Sequence, residues 1–173
     1  MITLDSDRLN IRPWEERDAA FVFDMYSRWD VQRFLGHAPT VMQTLDEAEQ
    51  LLKRLRQVDD ALLGYWAVDL ADGTVVGTVM LQGIRLSGTT ARSNEIEIGW
   101  HFHPDYWGHG YAAEAASRVL QHAFDAQANT VIAVTLQNNT PSERVCQRIG
   151  MKNLGETSRY YDTEYTLFEA TRT

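Results

Sequence analysis

Two stretches of the chain predict the strands at the centre of the fold. Residues 95–102 alternate between apolar and polar positions, which is typical of a strand with two different faces. The apolar face consists of Ile96, Ile98, Trp100 and Phe102, and the polar face of Glu95, Glu97, Gly99 and His101. Residues 130–136 form a nearly continuous apolar run. This run predicts a buried strand, parallel to the first, after a right-handed helical crossover.

Helical spacing of apolar residues predicts four helices. The first covers about residues 15–27, and the second starts after the capping residue Thr44 and ends near Val58. The third follows residue 110 and carries a stripe of small residues: Ala112, Ala115, Ala116, Val119, Leu120 and Ala123. In the fourth, Thr140 and Glu143 form a capping box, and Gly150 follows the last turn.

The other strands are shorter and belong to hairpins. They are predicted at residues 8–12, 64–70, 75–81, 151–161 and 164–170, with exposed loops at 36–39 and 87–93. Together these elements predict an α/β fold (α+β, mixed sheet) in which residues 1–173 form a single domain.

The turn between the polar-faced strand and the third helix predicts an anion site. Gly108 and Gly110 allow the backbone to approach a ligand closely. The helix that follows offers free N–H groups and the positive end of its dipole. The turn is therefore interpreted as a phosphate-binding loop.

Composition narrows the classes of partner. The 173 residues carry a net charge of −8 and contain no basic run, which argues against nucleic acid as the main partner. No segment approaches transmembrane length and no leader pattern is present, so the cytoplasm is the predicted location. Cys146 is the only cysteine, which rules out an intrachain disulfide.

These motifs resemble those of the GCN5-related N-acetyltransferase (GNAT) superfamily. The resemblance rests on Glu-Ile-Gly-Trp at 97–100, on the turn at 104–112, on Asn-Thr-Pro-Ser at 139–142 and on Gly150-Met151. Within the superfamily the chain is most similar to the RimJ/RimL branch of ribosomal-protein N-terminal acetyltransferases, which shares the Arg-Leu-x-Ile-Arg strand found at 8–12.

The resemblance implies a mostly antiparallel sheet with a central, splayed parallel pair and helices on both faces. The acetyl-CoA arm would lie in the splay, paired with the backbone of Phe102 and His103 and hydrogen-bonded to Asn139. Its pyrophosphate would rest on the N–H groups of Gly108, His109, Gly110, Tyr111 and Ala112. The superfamily usually has Gln or Arg where this chain has Asp105.

Acyl transfer needs a base, an oxyanion donor and an acid. Glu97 is the candidate base, acting directly or through water, and nearby Glu95 is expected to raise its proton affinity. The alternative is that Glu97 merely faces solvent and has no catalytic role. The oxyanion donor would be an N–H near Phe102. Many relatives place the acid, a tyrosine, where this chain has Cys146. The resemblance to the ribosomal branch, which has a serine at the position of Ser142, makes Ser142 the candidate acid, with helix capping as the alternative.

The predicted activity is acetyl-CoA-dependent N-acetylation of a primary amine by direct attack in a ternary complex. The acceptor is a protein N-terminal α-amine or a small amine such as a polyamine or an aminoglycoside. A catalytically silent acyl-CoA-binding module is the alternative. No metal is expected, because His101 and His103 have no third ligand nearby. A homodimer is favoured by the resemblance alone.

Overall fold

The computed structural model describes residues 2–36, 38–58 and 60–172, so His37 of the predicted loop at 36–39 lies outside the described residues. The strands are β1 Leu4–Asp5, β2 Leu9–Pro13, β3 Gly64–Leu70, β4 Val75–Arg85, β5 Arg92–Phe102, β6 Thr130–Leu136, β7 Lys152–Thr157 and β8 Tyr165–Thr171. The helices are α1 Ala19–Ser27, α2 Trp29–Gln32, α3 Leu45–Leu55, α4 Tyr111–Asp125 and α5 Thr140–Arg148. Across the described ranges, no helix is both long and apolar enough to cross a lipid bilayer.

One eight-stranded sheet has the order β1-β2-β3-β4-β5-β6-β8-β7. Its neighbouring strands are antiparallel except for β5 and β6, which run parallel. Helices cover both faces: Trp66 and Val68 of β3 belong to the core under α4, whereas Ala67 between them packs with α1 and α3. The predicted mixed α/β fold, with a central parallel pair and helices on both faces, is therefore confirmed.

The parallel pair separates soon after it begins. Ile96 lies opposite Val131 and Glu97 opposite Ile132, and no further pair joins β5 to β6 in the described chain. Beyond these residues β5 continues to Phe102 and β6 to Leu136. The gap between the two strands therefore opens directly after Glu97.

Some element boundaries differ from the prediction. The N-cap of α5 is Asn139 rather than Thr140, since the Asn139 Oδ1 accepts a hydrogen bond from the Ser142 N–H at 3.4 Å. Asn caps a helix at least as well as Thr does. β7 ends at Thr157, four residues earlier than expected, and its register against β8 shifts between Asn153 and Gly155, where Gly155 adopts a φ of +89°. The short helix α2 has no counterpart in the prediction.

A buried ion cluster ties β2 and β3 to the turn before α1. Arg12 donates to both carboxylate oxygens of Asp18, at 2.8 and 2.9 Å, and to Asp69 at 2.6 Å. None of the three residues is more than 8% exposed. Hydrogen bonds from Arg12 to these carboxylates raise the pKa of its guanidinium above the ordinary value. Arg12 is therefore part of the interior and not of the solvent-facing side of its strand.

Candidate functional site

The gap between β5 and β6 opens into two adjoining cavities. The first, about 280 Å³ in volume, lies along Glu97 to His101 and reaches Tyr161 and Tyr165. The second, about 390 Å³, lies against the glycine-rich turn and the starts of α4 and α5. The residues that line both cavities are Phe34, Leu35, Trp100, His101, Asn139 and Ser142. An elongated ligand can therefore extend from the turn to Glu97.

The glycine-rich turn presents backbone donors at the second cavity. Gly108 and Gly110 have φ values of +80° and +81°, in the left-handed region that favours glycine. The N–H groups of residues 108–112 donate to no acceptor within the described parts of the chain. We call these five groups the N–H cradle. They stand at the positive end of the α4 dipole, so the site suits an anion.

His109 lies in the cradle but turns its ring back onto the protein. Its Nδ1 is 2.9 Å from the Trp107 carbonyl oxygen, which requires that this nitrogen donate a proton. The ring also stacks on Tyr111, with 5.4 Å between the ring centroids. The turn therefore offers its backbone, and not the imidazole of His109, to a ligand.

Arg8, at the start of the Arg-Leu-x-Ile-Arg motif, holds the backbone of the N–H cradle through hydrogen bonds to the His109 carbonyl oxygen. Its Nη1 and Nη2 both donate to the His109 carbonyl at 3.2 Å, and its Nε donates to Glu114 at 2.7 Å. The guanidinium also lies 4.8 Å from the centre of the Tyr111 ring. Because the carbonyl and the next N–H of a trans peptide point in opposite directions, this contact directs the Gly110 N–H away from Arg8.

The backbone at the end of β5 leaves one donor for a ligand. His103 uses both of its backbone groups, donating to Val76 and accepting from Tyr106, each at 3.0 Å. The alternation of the antiparallel ladder then directs the Phe102 backbone away from β4 and toward the gap. The Phe102 carbonyl accepts from the Trp107 indole at 2.7 Å. Of the two residues expected to pair with a ligand, Phe102 therefore keeps an N–H directed at the gap, and His103 does not.

Glu97 is a buried carboxylate at the point where the strands part. It is 8% exposed and lines the first cavity. Its Oε2 accepts hydrogen bonds from the Gln82 amide, at 2.9 Å, and from the Tyr161 hydroxyl. Burial raises the pKa of Glu97, and the hydrogen bonds from Tyr161 and Gln82 act against that rise. A buried carboxylate with raised proton affinity beside a cavity is suited to take a proton from a ligand.

Glu95, two residues earlier on the same strand face, has a different environment. Its carboxylate accepts from Arg159 at 3.2 Å and from the Tyr160 hydroxyl at 3.0 Å, and its side chain is 39% exposed. It does not line either cavity. The rise in the pKa of Glu97 comes from burial, so the expected mutual effect of the two carboxylates is not its cause.

Ser142 lies on the first turn of α5, at the junction of the two cavities. Its N–H is bound by Asn139, and its hydroxyl makes no hydrogen bond to the residues that the structure describes. Cys146, the alternative position for an acid, is fully buried in the core. Burial raises the pKa of this thiol to about 12. The structure therefore brings Ser142 to the cavities and keeps Cys146 away from them.

The two histidines of β5 and its following turn have partners of their own. The Nδ1 of His101 is 2.8 Å from the Tyr26 hydroxyl, and burial lowers the pKa of His101 to about 4, so its ring is neutral at pH 7. The Nε2 of His103 lies 3.1 Å from Asp24. Asp105 has a 73% exposed side chain, directed to solvent. Within the described ranges no cluster of three His, Cys, Asp or Glu residues is arranged to hold a metal.

Sequence reasoning missed Tyr161, which lines the first cavity and donates to Glu97. The two residues are 64 positions apart, and no periodicity along the chain links them. The one available signal is the predicted turn at Asp162-Thr163, which places Tyr161 at the tip of a hairpin.

The sequence of this chain is similar to those of known acetyltransferases. A family model for the acetyltransferase (GNAT) domain matches residues 8–152. An uncharacterized N-acetyltransferase of Bacillus subtilis, YoaA, is 25% identical over 160 residues, which cover 91% of this chain and 86% of that protein.

Solved structures extend the similarity to the whole fold. A GNAT-family acetyltransferase from Bacillus anthracis has a TM-score of 0.81 at 23% identity, with 99% of each chain covered. RimJ from Mycobacterium smegmatis, solved in complex with CoA-disulfide, has a TM-score of 0.75 at 21% identity and covers 94% of this chain and 81% of its own. At these identities the likeness is one of fold.

Proposed function

The chain belongs to the GNAT acetyltransferase family, and from this premise we propose that it transfers the acetyl group of acetyl-CoA to a primary amine by direct attack in a ternary complex. One observation carries the proposal. Glu97, the Phe102 N–H and Ser142 border a cleft that continues to the N–H cradle. A base, an oxyanion donor and an acid thus lie along the path that an extended thioester would occupy.

The cleft has groups suited to each part of acetyl-CoA. The N–H cradle, from Gly108 through His109, Gly110, Tyr111 and Ala112, would bind the pyrophosphate, and Arg144 and Arg148 at the second cavity add positive charge. The Phe102 N–H would meet the thioester end of the arm, and Asn139 lies on the opposite wall. Acetyl-CoA supplies the activated thioester.

The residues around the gap would move the protons. Glu97, directly or through a water molecule, accepts the proton that the acceptor ammonium must lose. The amine nitrogen then bonds to the thioester carbon while the Phe102 N–H stabilises the developing oxyanion. The carbon–sulfur bond breaks, and the Ser142 hydroxyl donates a proton to the departing thiolate while it takes up, directly or through water, the proton that the new amide nitrogen must lose.

The walls of the first cavity favour an acceptor with a single positive charge. Among the residues that the structure describes, Glu97 is the one carboxylate that lines this cavity, and no lysine or arginine does. Its apolar and aromatic walls are formed by Phe34, Leu35, Met80, Trp100, Tyr161 and Tyr165. A polyamine or an aminoglycoside would bring several ammonium groups to a site with one counter-charge. An α-amine at a protein N-terminus, or a monoamine with an apolar group beside it, fits these walls better.

Release of free CoA thiol tests the proposal. The protein is incubated with acetyl-CoA and a short peptide with a free α-amine, phenethylamine, spermidine or kanamycin, and the thiol is followed with an aromatic disulfide reagent. The only cysteine of the chain is buried, which keeps the background low. CoA binding without thiol release from any amine would support the silent binding module instead.

Replacing Arg8 with Gln is expected to raise the KM for acetyl-CoA about three- to tenfold with little change in kcat. The substitution removes the hydrogen bonds that orient the cradle, worth about 1 kcal/mol. Steady-state kinetics at varied acetyl-CoA measure the effect. Arg17→Gln is the matched control, because the exposed Arg17 pairs with Glu15 and lines neither cavity. Equal KM values in both variants would contradict the role of Arg8.

Replacing Ser142 with Ala is expected to lower kcat about 10- to 100-fold while the KM for acetyl-CoA stays nearly constant, because the variant lacks the hydroxyl that protonates the leaving thiolate. Thr140→Ala serves as control, since Thr140 is an exposed hydroxyl residue on the same helical turn and lines neither cavity. If Ser142 serves only the helix start, its variant will melt earlier and keep the wild-type kcat.

A further inference from the structure

The turn between β7 and β8 has a backbone conformation that residues other than glycine rarely adopt. Tyr161 and Asp162 both have a φ of +57°, in the left-handed region. For a bulky aromatic residue this conformation is uncommon and costs free energy, so it persists only where surrounding contacts impose it. Strain of this kind concentrates at functional sites.

The segment 85–88, which begins with the last residue of β4, imposes that conformation. The carboxylate of Asp162 accepts from Arg85 at 2.7 Å and from the Gly88 N–H at 2.6 Å, and the Asp162 N–H donates to the Ser87 hydroxyl at 3.0 Å. The Tyr161 N–H donates to the Arg85 carbonyl at 3.2 Å, and the Arg85 guanidinium lies 5.4 Å from the centre of the Tyr161 ring. Both residues of the turn are thus anchored to a second hairpin.

The anchored turn delivers the Tyr161 hydroxyl to one oxygen of Glu97. The Gln82 amide nitrogen lies 2.9 Å from the same Oε2 and 3.2 Å from the Tyr161 hydroxyl, which closes a three-membered network. Gln82 is itself bound through its oxygen by Tyr65 at 2.5 Å and by Arg92 at 2.7 Å. The Oε1 of Glu97 accepts no hydrogen bond from the described residues. The network therefore occupies one carboxylate oxygen and leaves the other for a ligand.

We propose that Tyr161 is a positioning residue for the transfer reaction: its hydroxyl holds Glu97 so that Oε1 receives the acceptor proton, and Asp162 keeps the turn in place. This inference rests on the proposed function, in which Glu97 is the base. A side chain at the tip of a remote hairpin would thus set the orientation of the base.

The groups that face Glu97 indicate how the loss of Tyr161 would alter its titration. Four of these groups belong to other elements: Tyr65 of β3, Gln82 of β4, Tyr165 of β8 and Tyr161 of the turn. Three belong to β5 itself: Arg92, Glu95 and His101. Burial raises the pKa of Glu97, and the Tyr161 hydrogen bond is the largest influence that lowers it. A donor to the charged carboxylate favours that form, so removing it raises the pKa further. Activity that needs ionised Glu97 would then begin at higher pH.

Tyr161→Phe tests the proposal against the matched variant Tyr160→Phe. Tyr160 is the preceding residue, and its hydroxyl donates to Glu95 instead of Glu97. The pH dependence of kcat/KM is measured for each with acetyl-CoA and a short peptide bearing a free α-amine. For Tyr161→Phe we expect the acidic limb of the profile, where kcat/KM rises with pH, to lie about one pH unit higher, and kcat/KM on that limb to be about tenfold lower, since one unit corresponds to a tenfold change. Tyr160→Phe should leave the limb in place.

The outcomes separate this proposal from the function on which it rests. The role of Tyr161 would be overturned if Tyr161→Phe left the acidic limb of the pH profile in place, or if Tyr161→Phe and Tyr160→Phe moved it equally. This holds even if Glu97→Gln is inactive. Full activity of Glu97→Gln would instead remove the base assignment. If Tyr161→Phe does not fold, Asp162→Asn takes its place. Asp162→Asn weakens the contact between residue 162 and Arg85 and keeps the Tyr161 hydroxyl. It should move the acidic limb of the pH profile to higher pH, as Tyr161→Phe would. An unmoved limb would refute the proposal.

Discussion

Replacing Glu97 with Gln is expected to lower kcat/KM by about 10²- to 10⁴-fold at neutral pH, the range typical of a lost general base. The amide of Gln has the shape of the carboxylate and can still accept a hydrogen bond from Tyr161, but it cannot take up a proton at this pH. Because the volume of the side chain is kept, the fold should survive. Initial rates of thiol release, with circular dichroism to check folding, measure the effect.

Glu95→Gln is the matched control for that substitution. Glu95 lies on the same strand face but pairs with Arg159 and Tyr160 outside the cavities. We expect less than about a twofold change in kcat/KM, since a surface ion pair contributes little. Burial places the pKa of Glu97 above its ordinary value, so wild-type activity should rise with pH through that pKa, and this limb should vanish in Glu97→Gln. Equal losses in the two variants would contradict the assignment.

Replacing Arg12 with Ala is expected to reduce the free energy of unfolding by about 3–5 kcal/mol, the cost of removing one partner from a buried ion pair. The substitution leaves Asp18 and Asp69 buried without their counter-charge. With Arg12 in place, burial of Asp69 raises its pKa above the ordinary value, and Arg12 acts against this rise. Removing Arg12 therefore removes the group that favours the charged carboxylate. Urea unfolding followed by tryptophan fluorescence measures the loss.

An exposed arginine provides the comparison. Arg56 pairs with Glu16 at 2.7 Å, and their side chains are 42% and 88% exposed. Arg56→Ala should cost less than about 1 kcal/mol, because water solvates both partners. If the two variants lost the same stability, the cluster around Arg12 would be contributing no more than a surface contact.

Local pattern predicted most of the architecture. Alternation placed Glu97 and His101 on one face of β5, and the apolar run at 130–136 predicted β6 as its parallel neighbour. These features follow from short-range periodicity, which binary patterning encodes directly. The separation of the two strands after Glu97 has no such pattern, and only the family resemblance implied it. The cap of α5 was misplaced because Asn139 and Thr140 both suit an N-cap, and only the observed hydrogen bond chooses between them.

The parts of the site that sequence did not predict depend on distant contacts. Arg8 meets the His109 carbonyl across 101 positions, and Tyr161 meets Glu97 across 64. A charged residue directly before a strand and an aromatic residue in a turn each have many ordinary roles, so neither indicates its partner. The left-handed backbone at Tyr161 is equally invisible in the sequence, because Tyr has no preference for it.

The place of β8 in the sheet has a consequence for biosynthesis. This strand follows all the others along the chain, yet it lies between β6 and β7 and pairs with β6 from Thr130 to Leu136. Until residues 165–171 have left the ribosome, β6 exposes an unpaired edge and β7 has no neighbour. Until then the free edge of β6 is open to pairing with a strand of another chain.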